Sequence, residues 1–407
     1  MEYITAAAAA QRWGVSARLV QRYCAQGRIA GARKFGASWE VPAGAQKPRD
    51  PRAKRPAVEA PAARSSPSVP SAPGAPAALC PGLMPLMNTP FAPGACKEAI
   101  RAMPPGAKRE IAEAEYCYFS GRAEQAAQRA QQYMQDEDAA VRLSACLICA
   151  YANLSLGQIQ RARSALVQVR GAREDGAPAP LQAGEAFVAA AAAVLLHLPL
   201  PDSLPPAESW LPLLEPGLRS FALYVQAHYL YLQKEYEKSA GIVEATLAMG
   251  AQRYPIPAIY LHLVAVMDHM SLRRPDAARA HLLAAWQLAR PDDLIEGFGE
   301  HHGLLGGMLE AVIKPNWPED FKRIIAITYR FSAGWRKVHN PDTGHDVADN
   351  LTTTEFTAAM LAARGWTNRE IAAHMNISQH TVKRYVSVAM QKLNVHHRRE
   401  LERYMLQ

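Results

Sequence analysis

The sequence predicts a mainly α, multidomain protein, and three observations carry that prediction. Apolar residues recur at helical spacing through most of the 407 residues. Twelve of the thirty prolines lie between Pro48 and Pro93 and divide a short first segment from the rest. Near the C-terminus the helix-start pattern Thr-x-x-Glu occurs twice, at Thr352/Glu355 and Thr367/Glu370. The boundaries that follow are a small unit at 1–47, a disordered Pro/Ala-rich linker at 48–95, a helical body at 96–340, a hinge at 341–350 and a C-terminal unit at 351–407.

In the first segment Thr5 caps a helix running through Arg12, with the alanines at 6–10 as its body and Gly14 as its end. Ser16 then caps a second helix, in which Leu19, Val20 and Tyr23 pack inward and Arg18, Gln21 and Arg22 stay on the outer face. Beyond Gly27, RIAGARKFGASWEVP alternates small, basic and aromatic residues about Gly36, as a short hairpin wing does. Trp39 and Val41 fold back onto the helices, leaving Arg33 and Lys34 near the turn for phosphate. The stretch is similar to the excisionase/MerR-type winged helix–turn–helix, on the strength of AA-x-x-x-G-V-S followed by G-R-I-x-G-x-x-x-x-G-x-x-W. That resemblance implies a DNA contact; a module that docks protein is the alternative.

The linker PRDPRAKRPAVEAPAARSSPSVPSAPGAPAA has no apolar periodicity, so it buries too little to order itself and serves as a semi-extended tether. From Lys97 to His339 helices come in pairs: 107–119 with 122–134, 139–156 with 158–173, 218–232 with 236–249, and 257–270 with 275–289. Gly121 and Gly157, each in the break of a pair, stand 36 residues apart, and LYLQKEYEKSAGIVE and MSLRRPDAARAHLLAAW follow the plan more loosely. The body therefore resembles tetratricopeptide-like repeats, which implies a curved solenoid whose concave face takes a protein, peptide or small-molecule effector. Tyr224, His228 and Tyr231 share a helical face and read as packing. His301-His302 has no ligand set nearby, and no metal or cofactor is expected. The pair Cys146-x-x-Cys149 lies within an apolar helical run and reads as packed thiols. A closing helix starts at Pro318, with Glu319 and Asp320 in its first turn and Phe321, Ile324, Ile325, Thr328 and Phe331 as its stripe.

In the C-terminal unit Thr352 caps a first helix, with Leu351 and Phe356 as its hydrophobic staple, Phe356, Ala359, Met360 and Ala363 as its apolar stripe, and Gly365 at its end. Thr367 caps a short second helix with Ile371, Ala372 and Met375 inward, and Ser378 caps a third after the turn Asn376-Ile377. On that third helix Val382, Val386, Ala389, Met390 and Leu393 fall on one side. His380, Lys383, Arg384, Ser387 and Gln391 fall on the other, and Gln379, Thr381 and Lys392 complete the candidate set. Cations neutralise phosphates or reach guanine O6 and N7, and a Gln amide pairs with adenine, so this stripe suits the major groove. Arg369, in the first turn of the preceding helix, is placed for a phosphate.

TNREIAAHMNISQHTVK, followed by KLNV and RREL, resembles the DNA-binding domain of LuxR/FixJ-type (GerE-like) regulators without a gap from Leu351 to about Tyr404. The resemblance implies a four-helix domain bound to double-stranded DNA, with a last helix near 397–405 forming a homodimer. Thr354 stands where an Arg is common in that family, and Tyr385 where a His is common, beside the reading face. Net charge agrees: +5 over 1–47, +3 over 48–80 and +4 over 351–407, against −4 for 81–350. A scaffold whose basic ends dock proteins is the alternative. No G-x-x-x-x-G-K-[ST] loop and no nucleophile–base pair occurs, so no enzyme is expected, nor the ATPase-driven branch of the family. The longest apolar run, Phe187 to Leu196, is too short for a bilayer, and the expectation is a cytoplasmic bacterial protein.

Overall fold

The computed structural model describes residues 3–13, 15–26, 28–35, 38–47, 82–171, 179–195, 200–339 and 351–402. They belong to two compact units, residues 3–47 in the first and 82–402 in the second.

The first unit packs two helices on a small antiparallel sheet. Its elements are β1 (Tyr3–Thr5), α1 (Ala6–Trp13), α2 (Ala17–Ala25), β2 (Arg33–Phe35) and β3 (Ser38–Pro42), and the strand order is β1-β3-β2. The wing expected from sequence is the β2–β3 hairpin, with Lys34 opposite Trp39. Strand β1, which no alternation in the sequence marks, adds a third member, Ile4 pairing with Val41. Ala6, Ala9 and Ala10 are buried because methyl side chains let α1 lie close to Val20, Tyr23, Ile29 and Val41. Thr5 Oγ1 accepts the Ala8 amide at 3.2 Å. Ser16 occupies the N-cap of α2 with extended backbone, but its side chain makes no capping bond there.

The second unit is helical. In the body, α3 (Cys96–Ala102) leads into α4 (Ala107–Phe119), α5 (Ala123–Gln131), α6 (Ala139–Ser155), α7 (Ile159–Gly171), α8 (Ala179–Leu195), α9 (Ala207–Trp210), α10 (Pro216–Leu232), α11 (Tyr236–Ala248), α12 (Pro255–Ser271) and α13 (Pro275–Ala289). Four pairs of successive helices, α4/α5, α6/α7, α10/α11 and α12/α13, close with the same turn. In each, one residue takes the left-handed conformation: Gly121 at φ +79°, Gly157 at +68°, Lys234 at +63° and Arg273 at +58°. The next amide reaches back to a carbonyl of the finished helix, Arg122 to Cys117, Gln158 to Asn153, Glu235 to Leu230 and Arg274 to His269, at 2.8–2.9 Å. The two glycines adopt this φ without Cβ strain, whereas Lys234 and Arg273 adopt it despite a Cβ.

Residues 82–95, assigned to the linker from their prolines, belong to the body. Leu83, Met84, Leu86 and Met87 are buried in its core. Their backbone is held by side chains: the amides of Leu86 and Met87 donate to the two carboxylate oxygens of fully buried Glu115 at 2.8 and 3.0 Å, and that of Met84 to Ser144 Oγ at 2.8 Å. Asp292 does the same for Gly94 and Cys96, at 2.6 and 2.9 Å. The apolar anchors outweigh the prolines, and the carboxylates satisfy amides that would otherwise be buried unpaired.

Beyond α13 the chain is irregular. It forms α14 (Glu296–Glu300), a π-helical turn (Leu309–Ile313), α15 (Lys314–Asn316) and the long α16 (Pro318–His339). Glu296, fully buried, pairs with Arg330 at 3.0 Å and accepts from Ser155 at 3.1 Å. Glu300 accepts from the Tyr118 and Tyr260 hydroxyls. Tyr224, His228 and Tyr231 are buried, as packing predicted, and His301 Nε2 lies 2.8 Å from Tyr224 Oη. Burial pushes the His301 imidazole down to about 4, so it is neutral near pH 7. Cys146 and Cys149 are free, buried thiols pushed up to about 11 and about 12, mainly by desolvation. No helix among the described residues is long and apolar enough to cross a membrane.

Candidate nucleic-acid interface

Three helices close the second unit: α17 (Thr353–Ala363), α18 (Asn368–Met375) and α19 (Gln379–Lys392). Both expected capping boxes form. Thr352 Oγ1 accepts the Glu355 amide at 3.3 Å while the Glu355 carboxylate accepts the Thr352 amide at 2.8 Å; Thr367 and Glu370 repeat this at 3.3 and 2.6 Å. Gly365 ends α17 at φ +79° and Asn376 ends α18 at φ +52°. Ser378 caps α19 by accepting the Thr381 amide at 3.0 Å. These local signals fix where each helix begins, and Val382, Val386, Ala389 and Leu393 fix which side of α19 is buried.

The opposite side of α19 is open. Gln379, His380, Lys383, Arg384, Ser387 and Gln391 are exposed, and Arg369 is exposed in the first turn of α18. The Arg384 guanidinium lies 5.4 Å from the centroid of the Tyr385 ring, a stacking partner that orients it. Two candidates have their polar atoms engaged elsewhere. Thr381 Oγ1 shares a hydrogen bond with Ser378 Oγ at 2.8 Å, and Lys392 Nζ lies 2.7 Å from Glu355 Oε2. Lys392 therefore acts as a strut between α19 and α17 in this structure.

After α19, Asn394 takes φ +51° and the chain enters a 3-10 turn, Arg398–Leu401. The expected last helix near 397–405 extends past residue 402 and so lies partly outside the described residues. Arg398 fastens the turn to the α17–α18 corner, donating to Asn368 Oδ1 at 2.6 Å and to the Trp366 carbonyl.

Helix α17 departs from the expected single apolar stripe. Thr357, Ala358, Ala359, Met360, Leu361 and Ala362 are all buried, while Phe356 and Ala363 are half-buried. Its second covering surface is the body. Thr357 Oγ1 donates to Glu310 Oε1 at 3.3 Å, and His302 Nε2 lies 2.9 Å from the same oxygen. Burial acts to raise the Glu310 carboxyl, but the adjacent His302 and Thr357 overcome it and hold the group below the usual range. Arg364 Nη2 donates to Tyr231 Oη at 2.8 Å and to the Leu304 carbonyl at 2.7 Å. These contacts join residues far apart in the chain, and the glycines at 303, 306 and 307 are the trace they leave in the sequence.

In the first unit Arg18, Gln21 and Arg22 are exposed on α2 and Lys34 is exposed on β2. Arg33 is exposed too, but its guanidinium pairs with Glu40 at 3.0 Å and stacks 4.0 Å from the Tyr3 ring centroid. In the body an apolar cavity of about 330 Å³ opens among α8, α9 and α10, beside Val194, Leu204, Trp210, Val225 and Tyr229.

Residues 349–405 match the family model described as bacterial regulatory proteins, luxR family (GerE). No curated protein and no solved structure matches the chain. The chain thus carries a LuxR-family domain, one of DNA-binding transcription regulation, at its C-terminal end.

Proposed function

We propose that this chain is a sequence-specific transcription regulator that reads the major groove with α19. One observation carries the reading: Gln379, His380, Lys383, Arg384, Ser387 and Gln391 form an exposed cationic and amide stripe on a helix whose other side is anchored in a core. Arg369 contacts the backbone, and Tyr385 tunes base preference through Arg384. The segment after Val395 pairs two copies on a two-fold site. The first unit, through Arg18, Gln21, Arg22 and the wing residues Arg33 and Lys34, adds a second DNA contact. The body is a helical-repeat module that senses or recruits, and the cavity beside Trp210 accommodates a small apolar effector.

Selection of bound fragments from genomic DNA, followed by footprinting at moderate salt, tests the reading. A shared two-fold sequence protected over both half-sites is expected. Binding without any sequence in common, or no binding as salt is lowered, overturns it.

A further inference from the structure

Six consecutive buried residues cannot belong to one face of a helix, because a single packed stripe leaves the opposite side wet. Helix α17 has such a run, with Thr357, Ala358, Ala359, Met360, Leu361 and Ala362 each no more than 4% exposed. Much of the second surface comes from one short stretch of the body, Gly303 to Glu310, with Tyr231 and Arg273 at its margin. Its glycines admit the reader at contact distance. A Cβ on Gly303 would stand 2.8 Å from Phe356 Cε1, one on Gly306 2.5 Å from Arg364 Nη1, and one on Gly307 2.4 Å from Thr357 Cγ2. Between them run polar ties: Glu310 to Thr357, the Leu304 carbonyl to Arg364, and the Gly306 carbonyl to His374 Nε2 at 3.1 Å. Arg273 adds a bond to the Gly365 carbonyl. Apart from Glu402, which pairs with Lys234 at 3.1 Å, the reader residues tied to the body lie on α17, α18 or the corner joining them, and none is on the exposed stripe of α19.

We propose that Gly303–Glu310 is a presenting clamp: the body holds the reader by α17 with the reading helix outward, and the DNA affinity of the intact chain depends on the clamp being closed. This rests on the DNA-binding reading above. A clamped reader meets a half-site with its orientation already set, whereas a released one loses that freedom on binding and exposes the apolar side of α17 to water. The clamp also has a handle. His301 and His302 are neighbours in sequence, yet His301 joins Tyr224 inside the body while His302 joins Glu310 in the clamp. One peptide step thus separates the Tyr224 cluster from the contact to Thr357.

The test is a bump and its relief in the full-length chain. Gly303 has no left-handed backbone to defend, so Gly303→Ala adds only a methyl group against the Phe356 ring. Phe356→Leu removes the ring atoms that the methyl group meets. Hydrogen–deuterium exchange of the α17 and α18 amides should rise in G303A and return in G303A/F356L. Affinity for a selected fragment, read by fluorescence anisotropy, should follow the same order. If the wedge leaves one molecule in ten closed, it falls about tenfold. Arg364→Gln, which loses the Tyr231 and Leu304 bonds, gives an independent opening should G303A fold poorly by circular dichroism. Unchanged exchange in both variants overturns the clamp. Affinity that is unchanged or tighter when exchange rises overturns its presenting role. Absence of DNA binding in the parent, with exchange behaving as expected, sinks the DNA-binding reading and upholds the docking contact.

Discussion

Lys392, at the end of α19, and Glu355, in the first turn of α17, share one carboxylate oxygen with a helix cap: Oε2 lies 2.7 Å from Lys392 Nζ and 2.8 Å from the Thr352 amide. The capping atom of one helix is thus the docking point for the end of another. Losing the carboxylate costs both ties together.

That coupling predicts the response of the domain to acid. Partial burial acts to raise the Glu355 carboxyl, but Lys392 and the Thr352 amide outweigh it and hold it below the usual range. Its stabilisation is therefore full above the unfolded value of about 4.3 and disappears as pH falls through the lower folded value. Thr352→Ala should cost about 1 kcal/mol in urea denaturation at neutral pH. Glu355→Gln should lose stability at neutral pH and flatten the decline below pH 5. An unaltered acid limb would show that Glu355 is not the group responsible.

Glu115 works with the opposite sign. Burial pushes it up to about 8 against the pull of the Leu86 and Met87 amides. The folded state then binds the proton more tightly than the unfolded one, so stability declines as pH climbs from about 4.3 towards 8 and levels off above that. Glu115→Gln should lower the melting temperature, since an amide nitrogen facing a backbone N–H forfeits an acceptor, at about 1–3 kcal/mol. It should also narrow the gap between melts at pH 6 and pH 9. Calorimetry over that range decides, and an undiminished gap counts against the assignment.

On the reading face, Lys383→Ala combined with Arg384→Ala should weaken binding and reduce the salt slope by about two, if both cations meet phosphates. Arg384 reading guanine would instead relax preference at one position at a cost of about 1–3 kcal/mol. A gel-shift series from low to moderate salt separates the outcomes, and unchanged affinity throughout would displace the face from α19.

Removal of residues 1–47 should shorten the footprint or lower affinity, whereas Arg33→Ala alone should do less because its guanidinium is already paired with Glu40. An identical footprint would reassign the first unit to protein contact.

The C-terminal helices were legible because their signals are local: two Thr/Glu boxes, a Ser cap, Gly365 and a cationic stripe three and four residues apart. The helix pairs were legible where glycine marked the turn, at Gly121 and Gly157, and only loosely at Lys234 and Arg273, where the same conformation is imposed on residues that ordinarily avoid it. Residues 82–95 were misjudged because proline density is visible in sequence while the carboxylates that hold the segment, Glu115 and Asp292, lie far along the chain. The same distance hid the Glu310–Thr357 contact, and with it the reason the middle of α17 is buried on more than one side. Lys392 shows the limit within the site itself: helical spacing places a cation near the reading stripe but does not reveal the glutamate that takes it.

The all-round burial of α17 will shape how any reporter-based mutational scan of this chain is interpreted. A polar side chain introduced at Ala358, Ala359 or Leu361 should abolish regulation as thoroughly as a lesion on α19, although all three positions are buried away from the exposed stripe of α19. Two bands of intolerance would then emerge from one phenotype, and only a parallel measurement of protein abundance would tell a chain that has been degraded from one that has lost its operator.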